Sequence, residues 1–165
     1  MAQTVHAHLT ANGKAVEGES TITTLGREGS IECVEFEDRS VVEVNQATGR
    51  PLGQRQHQPL RIVKRIDQSS PILAQAMCKN EVIAGSFDFY RPHPEGDGTE
   101  QKFFTVEVEG GYITEIRRHS PDCSNPAQTR AEPSEEVRLT YHTITWTFHE
   151  GGKTYTDNWR ESGVG

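Results

Sequence analysis

The side chains of this sequence that could do chemistry are seven histidines, three cysteines and a few paired carboxylates. His6 and His8 lie two apart in a stretch where Val5, Ala7 and Leu9 alternate against them. Both rings then fall on one strand face and could make half of a metal site. Spacing assigns no third ligand, and neither Cys-x-x-Cys nor His-Glu-x-x-His occurs, so two solvent-facing histidines are the expectation. Asp122-Cys123-Ser124 offers a thiol, but no histidine pairs with it by spacing and no nucleophile signature surrounds it. Glu95 and Asp97 sit in the Gly-rich turn 91–98 and resemble a weak cation loop. Their spacing is not that of an EF-hand, which leaves a solvated turn. His93 lies between prolines in that turn. His119, His142 and His149 fall on strands or strand ends, as surface residues or contacts between copies. The phosphate-loop, nucleophile-elbow and dinucleotide signatures are absent. The sequence therefore predicts no catalytic residue, no cofactor, no metal and no enzymatic activity. A Ser-His-Asp site assembled from distant strands is the one catalytic arrangement it leaves open.

The elements that must position these residues are mostly strands. The pattern changes period within residues 61–80. Ile62, Val63 and Ile66 sit among basic residues as in a strand, and after Ser70 the spacing becomes helical. Ser69 or Ser70 can serve as N-cap, with Pro71 at the first helical position. Leu73, Ala76 and Met77 make an apolar face, with Ile72 beside Ala76, and Asn80 suits a left-handed stop. A helix of two to three turns is marginal alone and must lean on a sheet. Strands are expected near 5–9, 31–44, 60–66, 82–90, 102–108, 112–118, 136–148 and 153–159. A bend is expected near 38–40 and a bulge or change of sheet near 142–143. Asn12-Gly13 and Gly110-Gly111 read as turns. Residues 46–59 hold two Gly, two Pro and almost nothing apolar, and read as a long functional loop. Strands at intervals of about a dozen residues predict an all-β, two-sheet barrel with one short flanking helix.

At 165 residues the chain reads as one domain, 1–165. A formal net charge of −7 disfavours nucleic acid and anionic membrane as partners. Only 33% of residues are hydrophobic, which suits a thin core or a surface hidden against other copies. Cys33, Cys78 and Cys123 are odd in number and scattered, which argues against a disulfide framework. Neither a cleavable export signal nor a membrane-spanning run is visible, so the expectation is synthesis in the cytoplasm and no membrane insertion.

Residues 58–73, Gln-Pro-Leu-Arg-Ile-Val-Lys-Arg-Ile-Asp-Gln-Ser-Ser-Pro-Ile-Leu, resemble the basic strand and helix entry of the haemolysin-coregulated protein (Hcp) family. Gln68 stands where that family usually has Lys. Val16-Glu17-Gly18-Glu19-Ser20 is similar to its early Gly-Glu-Ser segment. Phe87-Asp88-Phe89-Tyr90-Arg91 and residues 137–146 resemble two of its strands, and Trp159 falls near its closing aromatic. The resemblance implies a tube subunit of the bacterial type VI secretion system: six copies in a ring, rings stacked into a tube, and small effectors carried or protected in the lumen. Sheath, spike and effector proteins would be the partners. The protein would be cytoplasmic before firing and then secreted without a cleaved signal peptide. It would carry no C-terminal toxin domain. Loop 46–59 resembles the family's extended loop, so Arg50, Leu52, Gln54, Arg55 and His57 are expected at a ring-stacking contact. Glu37 and Asp38 align with its lumen-lining strand. A monomeric β-barrel binding module and an enzyme with a dispersed site are the alternatives.

Overall fold

The computed structural model describes residues 3–128 and 130–159. The described strands are β1 (Thr4–Ala11), β2 (Lys14–Val16), β3 (Ile31–Glu37), β4 (Ser40–Val44), β5 (Pro51–His57) and β6 (Leu60–Arg65), then β7 (Ile83–Pro92), β8 (Glu100–His119), β9 (Ser134–Thr140), β10 (Thr143–Phe148) and β11 (Lys153–Asn158). One α-helix, α1 (Ser69–Cys78), lies between β6 and β7 among the described residues.

The main sheet runs β11-β10-β8-β7-β1-β3-β6-β9, and β9 pairs back onto β8. That second pairing closes a barrel through β8, β7, β1, β3, β6 and β9, which removes the edges an open sheet would expose. Alternation along the closing strands turns Ala7, Leu9, Ile31, Ile62, Phe87 and Leu139 inward, all nearly inaccessible to solvent. The remaining sheet is the antiparallel pair β4–β5.

Strand β8 departs from expectation. Gly110-Gly111 does not reverse the chain; β8 runs through it for 20 residues. Before the glycines β8 lies between β7 and β10, and after them it pairs with β9. A Cβ on Gly111 would stand 2.5 Å from the Thr140 carbonyl oxygen, and Gly110 has φ 62° with the His142 Cβ 2.9 Å from where its own would be. Two residues without side chains let one strand turn the barrel's corner. The parity change near 142–143 marks a break between two strands of one sheet, where a bulge or a change of sheet was expected: β9 pairs with β6 and the far half of β8, β10 with the near half. The bend near 38–40 separates β3 from β4.

Helix α1 covers the barrel with buried Leu73 and Ala76 and half-buried Met77, whereas Ile72 lies off that face at 43% exposure. Its entry differs from the sequence expectation. Ser69 and Ser70 are inside the first turn and Pro71 is the third helical residue. Capping falls to Asp67, whose Oδ1 accepts the Ser69 N–H at 2.9 Å, while Ser70 Oγ accepts the Asp67 N–H at 3.1 Å. Pro71 still removes only a donor that has no intrahelical acceptor. Asn80 stops the helix at φ 51°, as its type suggests.

Buried charge explains why the serines are not caps. On β6, Leu60, Ile62 and Lys64 share the inward parity, and Lys64 is fully buried. Its Nζ donates to Glu135 at 2.5 Å, Asp67 at 3.0 Å and Ser70 Oγ at 3.2 Å. Ser70 Oγ in turn donates to Glu135 at 2.7 Å, and Arg118 Nε reaches the other Glu135 oxygen at 2.9 Å. The network joins β6, β8, β9 and the first turn of α1.

Candidate functional site

Polar chemistry in the described residues is mostly structural. His6 is not solvent-facing. The segment before β3 folds over it, and its Nδ1–H donates at 2.8 Å to Ser30 Oγ, which itself donates to the Arg27 carbonyl. Desolvation lowers the His6 pKa from its ordinary value of 6.5. His8 stands apart, 3.7 Å from Asp88. Buried Arg27 lies over the Tyr90 ring at 4.5 Å and meets Glu100 at 2.5 Å. Burial pushes the Cys33 thiol up to about 12, away from thiolate chemistry. Cys78 and Cys123 are free and exposed. The turn around His93, Glu95 and Asp97 brings three ligand atoms within 4.8 Å of one another. Two of these side chains also close the turn: His93 Nδ1 accepts the Glu95 N–H, and Asp97 Oδ1 accepts from the Thr99 N–H and hydroxyl. Those hydroxyl and backbone bonds lower the Asp97 pKa. An open groove of about 660 Å³ is lined by Glu19, Glu32, Arg65, Asp67 and Glu132.

The segment expected as a loop is an arm. Residues 46–59 contain β5, which pairs with β4 to make a hairpin standing off the barrel. Its turn is built locally. Asn45 Oδ1 accepts the N–H groups of Ala47 and Thr48 at 2.9 and 3.2 Å. Gly49 adopts φ 69°, and the Asn45 N–H donates to the Arg50 carbonyl at 2.8 Å. A bulge between Val41 and Glu43 absorbs the extra residues around Gly53, φ 82°. Gly, Pro and Gln obscured the strand because pairing to β4, not side-chain propensity, holds it extended. Val42 and Val44 point to one face and Leu52, opposite Glu43, to the other. All three are exposed, by 42%, 47% and 51%. Arg50 and Gln54 are exposed as well.

Arg55 and His57 occupy the arm's base and bond within their own chain. Arg55 donates bidentately to Asp157 of β11, at 2.7 Å from Nε and 2.5 Å from Nη2, and to the Asn158 carbonyl at 3.1 Å. His57 Nε2 donates to Asp157 Oδ2 at 2.7 Å, and Nδ1 lies 3.1 Å from Ser40 Oγ and 3.2 Å from the Tyr141 hydroxyl. The imidazole is stacked between Trp146 and Trp159, with centroids 6.1 and 5.7 Å away. The Arg55 hydrogen bonds, then those of His57, hold the Asp157 carboxyl down at about 2. Burial raises the Tyr141 hydroxyl pKa. Ser40, His57 and Asp157 thus have the connectivity of a Ser-His-Asp relay. Their other partners make a junction of it. Arg55 occupies the carboxylate, Tyr141 shares the Ser40-facing nitrogen, and two indoles flank the ring. Asp157 carries no sequence signal of its own. Of the two lumen candidates, Glu37 is exposed at the end of β3, and Asp38 accepts the Trp146 indole N–H at 2.8 Å.

These features define a class: a closed β-barrel with one flanking helix and a projecting arm, whose buried polar groups serve packing. Residues 8–148 match the family model described as "Type VI secretion system effector, Hcp", and the chain belongs to that family. The "Major exported protein" of Pseudomonas aeruginosa is 29% identical over 141 residues, 85% of this chain and 81% of that protein. The structure of Hcp1 from the E. coli EAEC 042 pathovar superposes with TM-score 0.81 at 28% identity, over 96% of this chain and 99% of that one. Secreted protein Hcp3 from Pseudomonas aeruginosa shares the fold, with TM-score 0.71 at 22% identity over 96% and 99% of the two chains.

Proposed function

We propose that this chain is the repeating subunit of a type VI secretion inner tube. Copies close into six-membered rings, and rings stack head to tail through the β4–β5 arm. One observation carries this reading. A two-stranded hairpin is marginal in water on its own, yet this one exposes apolar side chains on both faces. Such an arm is completed by what it docks against. A heterologous contact of this kind generates a ring or a filament according to whether the rotation closes. Membership of the Hcp family and likeness to a protein named for its export support the assignment, with firing from the cytoplasm and the sheath and spike as partners. Arg50, Leu52 and Gln54 form the contacting tip, and Arg55 and His57 hold the arm's base. Glu37 faces the lumen and sets part of the charge that small effectors meet there.

The test is negative-stain electron microscopy of the purified chain and of a variant lacking residues 50–54. Rings and tubes are expected from the first, and single rings without tubes from the second. Small featureless particles at every concentration would support a monomeric binding module instead. Tubes of normal length from the shortened arm would remove the stacking role. A hydrolase screen with Ser40→Ala as control addresses the relay connectivity and is expected to be silent. For the lumen, Glu37→Arg should reduce the intracellular level of a co-expressed effector while leaving rings intact; an unchanged level would refute that assignment.

A further inference from the structure

We infer that Asp157 is a positioning residue, whose carboxylate on β11 sets the pose from which the β4–β5 arm stacks. This rests on the stacking reading above and assigns a part to a residue far from the arm in sequence. Among the described residues the arm has no strand partner in the barrel: its sheet contains β4 and β5 alone. It joins the barrel through two short links at 38–39 and 58–59, bridged by the Gln58 N–H on the Arg39 carbonyl at 2.8 Å. Two links alone make a hinge. What closes the hinge is a carboxylate 13% exposed, held by a bidentate guanidinium and by an imidazole whose side chain is 2% exposed. Charge-assisted, bidentate bonds of this kind fix direction as well as distance. The indoles of Trp146 and Trp159, stacked on the imidazole, add ring contacts that any outward swing would break. An arm fixed beforehand loses less freedom on docking, so its affinity for the next ring rises without a new contact.

The experiment is hydrogen exchange by mass spectrometry on the full chain, wild type against Asp157→Asn. Loss of charge-assisted bonds should speed exchange in residues 40–57 by about tenfold or more. Exchange in β6 and β9 should stay unchanged, and Asp157→Glu should return the arm towards wild-type rates. Both tryptophans of the chain flank His57, so acrylamide quenching of their fluorescence reads the same opening. Arg55→Met strips the half-buried side of the junction and gives the same readout if Asp157→Asn fails to fold. Arm exchange unchanged in both variants overturns the inference. If the arm loosens but Asp157→Asn still builds tubes of normal length, the tether is real and its positioning role is overturned. Normal tubes from the variant lacking residues 50–54 would instead remove the stacking reading, and the exchange result would then stand only for the tether.

Discussion

At the scale of single residues, burial decides where charge is structural. Lys64 and Glu135 are both inaccessible, and removing one member of the pair takes from the other its closest counter-charge, leaving Lys64 only Asp67 and Glu135 only Arg118. Glu135→Leu should lower unfolding stability in urea by about 3–5 kcal/mol. Lys64→Met with Glu135→Leu should cost less than the sum of the two single changes, because the buried charge that each single change leaves under-compensated is removed with its partner. Strict additivity would show that the pair is not coupled. Asp157 makes a prediction in pH. Its depressed carboxyl contributes stability that is complete above the ordinary 3.8 and is lost as pH falls through about 2. Tryptophan emission should therefore change between about pH 4 and pH 2 in the wild type. The change should be absent from Asp157→Asn; an identical change in the variant would assign the transition to other carboxylates. None of this was legible in the sequence. Parity puts Lys64 on the same side as Ile62, but a basic residue there reads as a solvent-facing strand position. Parity likewise puts His6 opposite the core, and only the loop folded over β1 buries it.

Elements were legible where one local rule governed them. The alternation of β1, the left-handed stop at Asn80, the bend after β3 and the break in parity between β9 and β10 all follow from residue types a few positions apart. The failures came where a neighbour in space overrode the local signal. Gly110-Gly111 carries the composition of a turn, yet the surrounding strands hold it as a bend in β8. That difference is testable. At Gly111 a methyl would sit 2.5 Å from a backbone oxygen, whereas at Gly49 it meets nothing within 4 Å and only the positive φ opposes it. Gly49→Ala should cost about 1 kcal/mol, the price of the left-handed conformation. Gly111→Ala should cost about 1–3 kcal/mol, since backbone must move. For a chain of this size that corresponds to a fall in Tm of roughly 2–4 °C per kcal/mol. A tolerated Gly111→Ala beside a damaging Gly49→Ala would mean that the corner is not sterically set. The same override explains β5: nothing in Gln, Gly and Pro announces a strand until β4 lies beside it.

For the whole molecule, the stacking proposed above has to bring like-charged copies together. With 17 basic and 24 acidic residues each copy carries −7, so at low salt neighbours repel one another. Two attractions at the arm could overcome this. Arg50 against a carboxylate of the next copy would be an exposed pair, worth about 0–1 kcal/mol and weakened by salt. Covering Val42, Val44 and Leu52, each roughly half exposed, contributes on the order of 1 kcal/mol per side chain and does not weaken with salt. The apolar faces therefore dominate, and the net repulsion they work against is itself screened as the Debye length falls from about 10 Å at 0.1 M salt towards 3 Å at 1 M. Stacking should increase with salt. Sedimentation velocity of the purified chain between about 0.05 and 0.5 M sodium chloride should show the stacked fraction rising. The rise should be lost when Val42, Val44 and Leu52 are all changed to Ser, while Arg50→Ala should reduce it only slightly. Stacks that dissolve as salt is added would reverse the ranking and make Arg50 the principal contact of the arm.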